Sequence, residues 1–311
     1  MPLDPQAAAF LARANDANPP DISEVPISET RAGLQAAKFM SGVREDVGQV
    51  THTFIPGPTA DLPIRIFTPK GSGPFNGLVY FHGGGWCVFF DELYEPQLRS
   101  LVNSTNSVVI SVNYQKAPEH KFPIPFDDCY ATLEWVFQNS EALNINQNKI
   151  GIAGDSAGGN LASAVALKVR DQGLRTLAYQ LLIYPCNDRK FDYPSMLSNA
   201  VGYGLTSKGM EWLWEQYLNG DDDDQNPYAI PHVAKSYRNL PPTIIITAEY
   251  DVLHDDGAAY AQKLIVDNVP TIYRDYPGQI HGFFSYSEDI DEGKNLRKEF
   301  AQDINGILSA G

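Results

Sequence analysis

One serine lies among small residues in the segment GDSAGGN, residues 154–160. The pattern G-x-S-x-G places Ser156 between a mostly apolar run at 149–153 and a helical pattern that begins near Gly158. A serine hydroxyl is a poor nucleophile at neutral pH, so it needs exposure, a neighbouring base and a group that stabilises charge. A tight strand-to-helix turn exposes the side chain, and the helix N-terminus adds free N–H groups. The segment therefore predicts a nucleophile for acyl transfer.

A glycine-rich turn of this kind can also hold a phosphate group. A Walker loop would need a lysine directly after its last glycine, and Asn160 occupies that position. The dinucleotide pattern G-x-G-x-x-G is not found in the sequence either. Because a five-residue serine pattern also arises by chance, the hypothesis depends on whether the chain supplies the other groups that such a serine needs.

A second glycine motif, HGGGW at 82–86, follows the apolar run at 78–81. Acyl transfer passes through a tetrahedral intermediate whose oxygen is negatively charged, and losing one preorganised N–H donor to that oxygen costs ~3 kcal/mol. Consecutive glycines let the backbone approach the oxygen closely. We therefore predict that the N–H groups of Gly83, Gly84 and Ala157 form an oxyanion hole.

The general base must be one of six histidines. His281 lies in the segment GQIHGFF, residues 278–284, directly after a strand predicted at 271–276. A loop beyond the last strand is where a serine hydrolase of this sheet type carries its base. We therefore predict that His281 activates Ser156.

The acid that orients the base should lie between the serine and the histidine in the chain. Asp251 is the first aspartate after the apolar run at 243–247. Asp255 and Asp256 are the alternatives, but both look like first-turn acids of a helix over 258–264, where the helix dipole favours them. The sequence favours Asp251.

Elements that can position these residues alternate along the chain. Short, continuously apolar runs are typical of strands buried on both faces, and helical patterns separate most of them. Alternation of this kind predicts an α/β fold with a mostly parallel sheet of about eight strands, flanked by helices. An antiparallel hairpin is predicted to open the sheet. The hairpin runs are 50–55 and 62–67, and the buried runs are 78–81, 108–112, 150–153, 181–183 and 243–247.

Residues 188–236 interrupt the alternation and are predicted to be an insertion over the sheet. After Thr206, a plausible N-cap, a single helical face carries Met210, Leu213, Trp214, Tyr217 and Leu218. Trp212 and Trp214 are expected to pack on the domain beneath, and the alternative is that they form a wall facing substrate.

The charge balance excludes two classes of partner. The chain has 23 Lys and Arg against 38 Asp and Glu, which gives a net charge of −15. Such a surface repels nucleic acid and anionic lipid, so we expect neither nucleic acid nor membrane as a partner. The N-terminal residues lack the basic start of a signal peptide, and no run reaches the ~18 apolar residues of a membrane span. We therefore expect a cytoplasmic enzyme.

Three cysteines and one acidic run could suggest other chemistry. Cys87, Cys129 and Cys186 are too few and too widely spaced for a disulfide framework or a zinc site, so they are predicted to be buried. The run at 221–224 is predicted to be a solvated loop, because it lacks the spaced ligands of a calcium loop. We therefore expect neither a metal nor a cofactor.

Taken together, these motifs resemble those of the hormone-sensitive-lipase family of α/β-hydrolases, the bacterial family IV esterases. The similarity covers most of the chain beyond residue 50. It rests on HGGGW at 82–86, Tyr114, APEH at 117–120, FP at 122–123, GDSAGGN at 154–160, YP at 184–185, Asp251 with Leu253, and HGF at 281–283. Two departures are Trp86, where phenylalanine is commoner, and QK at 115–116, where Arg-Leu is usual.

The resemblance implies an α/β-hydrolase domain at 49–187 and 237–311. It implies a cap built from 1–48 and 188–236, a Ser-His-Asp triad, and hydrolysis of short- to medium-chain carboxylic esters without a cofactor. It also implies a homodimer as an assembly to test. The pocket-lining candidates are Trp86, Phe89, Phe90, Tyr203 and Leu205.

Two other functions remain open from the sequence. The same constellation can attack any activated acyl carbon, so an amidase, a deacetylase or a lactonase is an alternative to an esterase. A non-catalytic receptor of the gibberellin-receptor type is the other alternative. That class resembles this family but has lost the triad histidine, whereas His281 is retained here.

Overall fold

The structure, a computed structural model, describes residues 1–16, 19–35, 42–88 and 91–310. Its centre is a single sheet of eight strands. The strands are β1 (Gln49–Pro56), β2 (Asp61–Thr68), β3 (Phe75–Phe81), β4 (Ser107–Val112), β5 (Ile145–Asp155), β6 (Gln180–Ile183), β7 (Thr243–Tyr250) and β8 (Thr271–Ile280). Their order across the sheet is β1-β2-β4-β3-β5-β6-β7-β8.

Strand pairing confirms the predicted mostly parallel sheet. β1 pairs with β2 and β2 with β4 in antiparallel fashion, and the other neighbouring pairs are parallel. The predicted hairpin is confirmed, with Val50 opposite Phe67 and Ile55 opposite Leu62. Carboxyl ends of parallel strands meet at one edge, so the segments after β3, β5, β7 and β8 converge there.

Nine α-helices occur in the described residues, and most of them cover the two faces of the sheet. They are α1 (Pro5–Asp16), α2 (Ile27–Gln35), α3 (Asp91–Thr105), α4 (Ile124–Gln138), α5 (Ala157–Gln172), α6 (Pro194–Ser198), α7 (Ser207–Tyr217), α8 (His254–Val266) and α9 (Glu292–Ala310).

Two buried hydrophobic clusters lie on opposite faces of the sheet, because side chains alternate along a strand. On β3, Val79 and Phe81 join the cluster formed with α4, α5, α7 and α8. Leu78 and Tyr80 join the other cluster, with α1, α3 and α9. The core is therefore a three-layer α/β/α arrangement. The helices cover the faces of the sheet and leave the carboxyl ends of the parallel strands at one edge.

The insertion folds as its pattern predicts. Thr206 caps α7 by accepting a hydrogen bond from the N–H of Gly209 at 2.9 Å. The five predicted apolar side chains of this helix are buried. The N-terminal segment contacts the same helix, since Lys208 pairs with Glu24 at 2.7 Å. Trp214 is completely buried, as its packing role predicts, and Trp212 is half-buried against the same cluster.

The acidic run forms a short 3₁₀ turn, Asp221–Gln225, and Arg189 at the start of the insertion pairs with Asp224 of this turn at 2.6 Å. Across the described ranges, no group of three or more His, Cys, Asp or Glu side chains could hold a metal ion. Within those same ranges, no helix is both long enough and apolar enough to span a bilayer.

Candidate active site

Ser156 occupies the sharp turn between β5 and α5, and the predicted strand–turn–helix arrangement is confirmed. Its backbone has φ 55° and ψ −123°, a conformation that costs an L-residue free energy. A hydrogen bond of 2.8 Å from the Ser156 N–H to the Ile183 carbonyl holds the turn. Gly158 must be glycine, because a Cβ there would lie 2.0 Å from the carbonyl oxygen of Phe81.

The hydroxyl of Ser156 does not cap helix α5, although the residue occupies the N-cap position. It makes no side-chain capping bond, and instead its Oγ lies 3.0 Å from Nε2 of His281. The serine is 8% exposed and the histidine side chain 14% exposed, so neither group is completely sealed from solvent.

Asp251 completes this chain of hydrogen bonds. Its Oδ2 lies 2.6 Å from Nδ1 of His281, and its Oδ1 accepts a bond of 2.9 Å from the N–H of Leu253. The carboxylate is fully buried. A carboxylate that accepts the Nδ1–H leaves Nε2 as the acceptor for the serine proton, which is the tautomer a general base needs.

The two alternative acids are engaged elsewhere. Asp255 lies 2.7 Å from Nδ1 of His254 and accepts a bond from the N–H of Ser195. Asp256 lies 3.0 Å from Nε2 of His232. The geometry therefore brings Asp251 to His281, as the sequence favours, and assigns its two neighbours to separate interactions.

Gly83 requires a correction. Its N–H donates to Oδ1 of Asp155 at 2.9 Å and is also 3.1 Å from the hydroxyl of Tyr94. A donor with two buried acceptors is not free for a substrate oxygen, so the prediction that Gly83 contributes to the oxyanion hole is wrong for this structure. The sequence could not reveal this, because Tyr94 and Asp155 reach Gly83 only through the tertiary fold.

Other N–H groups near Ser156 remain available. Gly84, Gly85 and Ala157 have no backbone hydrogen-bond acceptor among the described residues. Gly84 and Gly85 adopt φ 104° and φ 57°, which glycine tolerates without strain. Ala157 opens helix α5, where N–H groups have no partner within the helix. The site thus combines a nucleophile, an oriented base and unpaired donors.

Comparisons with known proteins show the family of this chain. A family model described as the alpha/beta hydrolase fold matches residues 78–285. This chain is a hormone-sensitive-lipase-like α/β-hydrolase. An arylesterase of Saccharolobus solfataricus is 36% identical over 91% of this chain and 92% of its own length. A carboxylesterase of Mycobacterium tuberculosis is 34% identical over 73% of this chain and 72% of its own.

Solved structures place this α/β-hydrolase among esterases as well. A hyperthermophilic esterase from Pyrobaculum calidifontis superposes with a TM-score of 0.93 at 34% identity, and the match covers 99% of both chains. The predicted family and fold are therefore confirmed over the whole chain.

Trp86 was a candidate for the pocket wall of the α/β-hydrolase, and the structure corrects that prediction. Its side chain is completely buried. It stacks on Tyr217 of α7 at 4.3 Å with the ring planes 1° apart, and lies 4.5 Å from Trp214. It has no surface that a bound ester could contact in this conformation, so it joins the insertion to the glycine loop instead.

The other pocket candidates have mixed outcomes. Tyr203 is half-buried and its ring lies 4.9 Å from that of Tyr250, the residue before Asp251. Leu205 is half-buried against the hydrophobic cluster that contains α4, α5, α7 and α8. Their role as pocket lining stays a prediction. Phe89 and Phe90 lie outside the described residues.

The three cysteines are buried and unpaired, as predicted. Burial raises the pKa of Cys87 to about 12, and it also raises the pKa values of Cys129 and Cys186 well above the ordinary value of a thiol. A thiol that stays protonated at neutral pH is neither a nucleophile nor a metal ligand. Cys87 therefore fills space near the glycine loop.

The motifs do not indicate a role for one acidic residue beside the site, Asp155. It lies inside the serine motif itself, and its buried carboxylate contacts the glycine loop through Gly83. An available signal was its residue type, since an aspartate at the buried end of a central strand needs hydrogen-bond donors around it. The sequence did not indicate which donors those are.

Proposed function

We propose that Ser156, His281 and Asp251 are the catalytic triad through which this carboxylic ester hydrolase cleaves its substrate. One observation carries the proposal: His281 lies within hydrogen-bond distance of both partners, 3.0 Å from Ser156 Oγ and 2.6 Å from Asp251 Oδ2. These three side chains come from three separate strand ends. Asp251 accepts the Nδ1–H of His281, so Nε2 is left to accept the proton of Ser156.

The reaction follows from that arrangement. Ser156 Oγ attacks the ester carbonyl carbon while His281 Nε2 takes the hydroxyl proton. The tetrahedral intermediate collapses, its bond to the alcohol oxygen breaks, and His281 returns the proton to the departing alcohol. Water then attacks the acyl-enzyme with His281 again as base, which releases the acid and restores Ser156. Asp251 stabilises the imidazolium that forms in each half-reaction.

We infer that the N–H groups of Gly84, Gly85 and Ala157 form the oxyanion hole. Their lack of backbone acceptors among the described residues supports this assignment, and the occupied N–H of Gly83 argues for a donor set shifted along the loop. Preorganised donors of this kind stabilise the transition state more than the ground state, because charge develops on the oxygen only as the bond forms.

We propose that 1–48 and 188–236 form a cap that restricts this site to small esters with short- to medium-chain acyl groups. Contacts between Lys208 and Glu24 join the two segments. The insertion also lies directly against the glycine loop, since a Cβ on Gly85 would come within 2.5 Å of Leu213 Cδ2. A side chain of α7 therefore lies beside the proposed oxyanion hole, which supports a limit on the size of the acyl group.

A fluorophosphonate reagent followed by peptide mass mapping tests the triad. We expect a single adduct on Ser156, and an unlabelled Ser156 in folded, active protein would refute the assignment.

A p-nitrophenyl ester series tests the size limit, with kcat/KM expected to be highest at short to medium chains. The amide and the ester of one acyl group, compared side by side, decide between the esterase and amidase alternatives.

A further inference from the structure

The carboxylate of Asp155 lies between the turn that carries Ser156 and the glycine loop at 82–86. Asp155 directly precedes Ser156 in the chain and is only 3% exposed. It belongs neither to the proposed triad nor to the proposed oxyanion donors. Burying a carboxylate costs free energy unless hydrogen bonds compensate for the lost water, so its partners indicate what it does.

Three donors surround this carboxylate. Oδ1 accepts from the hydroxyl of Tyr80 at 2.8 Å and from the N–H of Gly83 at 2.9 Å. Oδ2 accepts from the hydroxyl of Tyr94 at 2.9 Å. Burial raises the pKa of Asp155, while these three hydrogen bonds lower it. The backbone N–H can only donate, so the contact with Gly83 needs an acceptor at this position.

This contact joins the glycine loop to the nucleophile by a short path. One peptide bond separates Asp155 from Ser156, and one hydrogen bond links its side chain to Gly83, the residue before Gly84. Elsewhere along the loop, the hydroxyl of Tyr114 donates to the carbonyl of His82 at 2.9 Å. Oxyanion donors must lie close to their working positions, because small displacements weaken the transition-state bonds.

We propose that Asp155 is a positioning residue that fixes the glycine loop relative to Ser156, so that Gly84 and Gly85 present their N–H groups to the tetrahedral oxygen. This inference rests on the proposed function and deepens it. Asp155 acts through Gly83 and does not itself touch the substrate. The corrected role of Gly83 follows from the same bond, since its N–H is the point of attachment.

The test compares two nearly isosteric variants. Asp155→Asn places an NH₂ group in a site that already contains three donors, so the bond to Gly83 weakens or reorients. We expect kcat to fall about 10- to 100-fold, less than the loss of a complete oxyanion donor, with KM changed less than about threefold. Affinity for a trifluoromethyl ketone, which forms a tetrahedral adduct, should fall by a similar factor.

Tyr80→Phe is the matched control. It removes a donor from the same carboxylate oxygen but leaves the Gly83 bond in place. We expect kcat to remain within about threefold of wild type. Equal losses in the two variants would overturn the proposal, because they would indicate a general effect of disturbing a buried carboxylate.

A pH profile separates positioning from a direct charge effect, because His281 is near enough for its charge to influence the pKa of Asp155. If Asp155 positions the loop, Asp155→Asn lowers the plateau of kcat/KM, whereas a purely direct charge effect moves only the midpoint of the acid limb. A displaced midpoint with an unchanged plateau would overturn the proposal.

Amide hydrogen exchange supplies a readout that needs no turnover. We expect the Gly83 N–H to lose protection in Asp155→Asn, and unchanged protection would refute the inference even in an inactive protein. Failure of the proposed function would appear separately, as a wild type that does not hydrolyse esters.

If Asp155→Asn does not fold, Gly83→Ala tests the same contact, since its methyl group would lie 2.4 Å from Asp155 Oδ2. The same kcat loss is then expected, and wild-type kcat in Gly83→Ala would overturn the proposal.

Discussion

The molecule contains two buried histidine–aspartate pairs that look alike in outline and differ in what surrounds them. His281 binds Asp251 through Nδ1, and its Nε2 faces Ser156. His232 binds Asp256 through Nε2 at 3.0 Å, and its Nδ1 lies 3.6 Å from Asp188. One ring thus links an acid to a hydroxyl, whereas the other lies between two acids.

A serine also lies near the second pair, but its hydroxyl is already used. Ser163 donates to the carbonyl of Gly159 inside helix α5, and its Oγ accepts from Asn187. Ser163 is also completely buried, unlike Ser156 in its turn. A histidine–carboxylate pair can act as a general base only where its second nitrogen faces a reachable, uncommitted nucleophile, as in the proposed triad. The His232 pair instead fastens the insertion to α8.

The largest effects are expected at the first pair. Ser156→Ala and His281→Ala should each lower kcat by roughly 10⁴–10⁶, and the double variant should lose little more, because triad residues act as a unit. Steady-state kinetics on one p-nitrophenyl ester, with active-site titration to correct for contaminating wild type, measures this. Losses that multiply in the double variant would contradict the shared role.

Changing the acids of the two pairs sharpens the comparison. Asp251→Asn should lower kcat by about 10⁴, because an amide no longer holds His281 in the required tautomer. Asp256→Asn is the matched control and should leave kcat within a few-fold of wild type. Full activity in Asp251→Asn would return the role of the acid to one of the neighbouring aspartates.

The second pair should matter for stability. His232→Leu removes the imidazole that lies 3.0 Å from the buried Asp256 carboxylate, and leaving a buried polar group without a partner costs about 1–3 kcal/mol of unfolding free energy. Urea unfolding followed by tryptophan fluorescence measures the loss, while kcat per folded molecule should change little at low temperature. A large fall in kcat with unchanged unfolding would place this pair in catalysis after all.

The smallest expected effect concerns a third histidine, His254. Hydrogen bonds to Asp275 and Asp255 raise its pKa to about 9, above the ordinary value near 6.5 in an unfolded chain. A raised folded-state pKa means that the stabilisation is fully present below about pH 6.5 and is lost as the pH rises through about 9. Wild type should therefore lose more stability than His254→Gln between pH 7 and 9.5.

Urea midpoints measured at intervals of half a pH unit test this. Other groups titrate in the same range, so the difference between the two proteins is the informative quantity. Parallel curves for wild type and His254→Gln would show that the ion pairs of His254 contribute nothing to stability.

Several features could be predicted from the sequence because they depend on neighbours in the chain. The turn at Ser156 follows from small residues between a buried strand and a helix, and the cap of α7 follows from Thr206 three residues before Gly209. The position of His281 after β8 follows from the order of strands. The first two signals lie within short stretches of the chain, and the third needs only the order of the elements.

The failures depend on residues distant in the chain. Gly83 was assigned to the oxyanion hole because consecutive glycines fit that role, but a carboxylate 72 positions away takes its N–H. Trp86 looked like a pocket wall until α7 brought Tyr217 against its face. Nothing in either local segment distinguishes these outcomes.

The sequence by itself determined the class of chemistry and the order of the parts: a nucleophile in a tight turn, a glycine loop, an acid and a base on successive strand ends. Those follow from local backbone sterics and from periodicity. Only the tertiary structure decided which N–H groups are free, what packs against Trp86, and what Asp155 holds. Such choices depend on which groups from distant parts of the chain come within hydrogen-bond distance of each other. Packing alone establishes those distances.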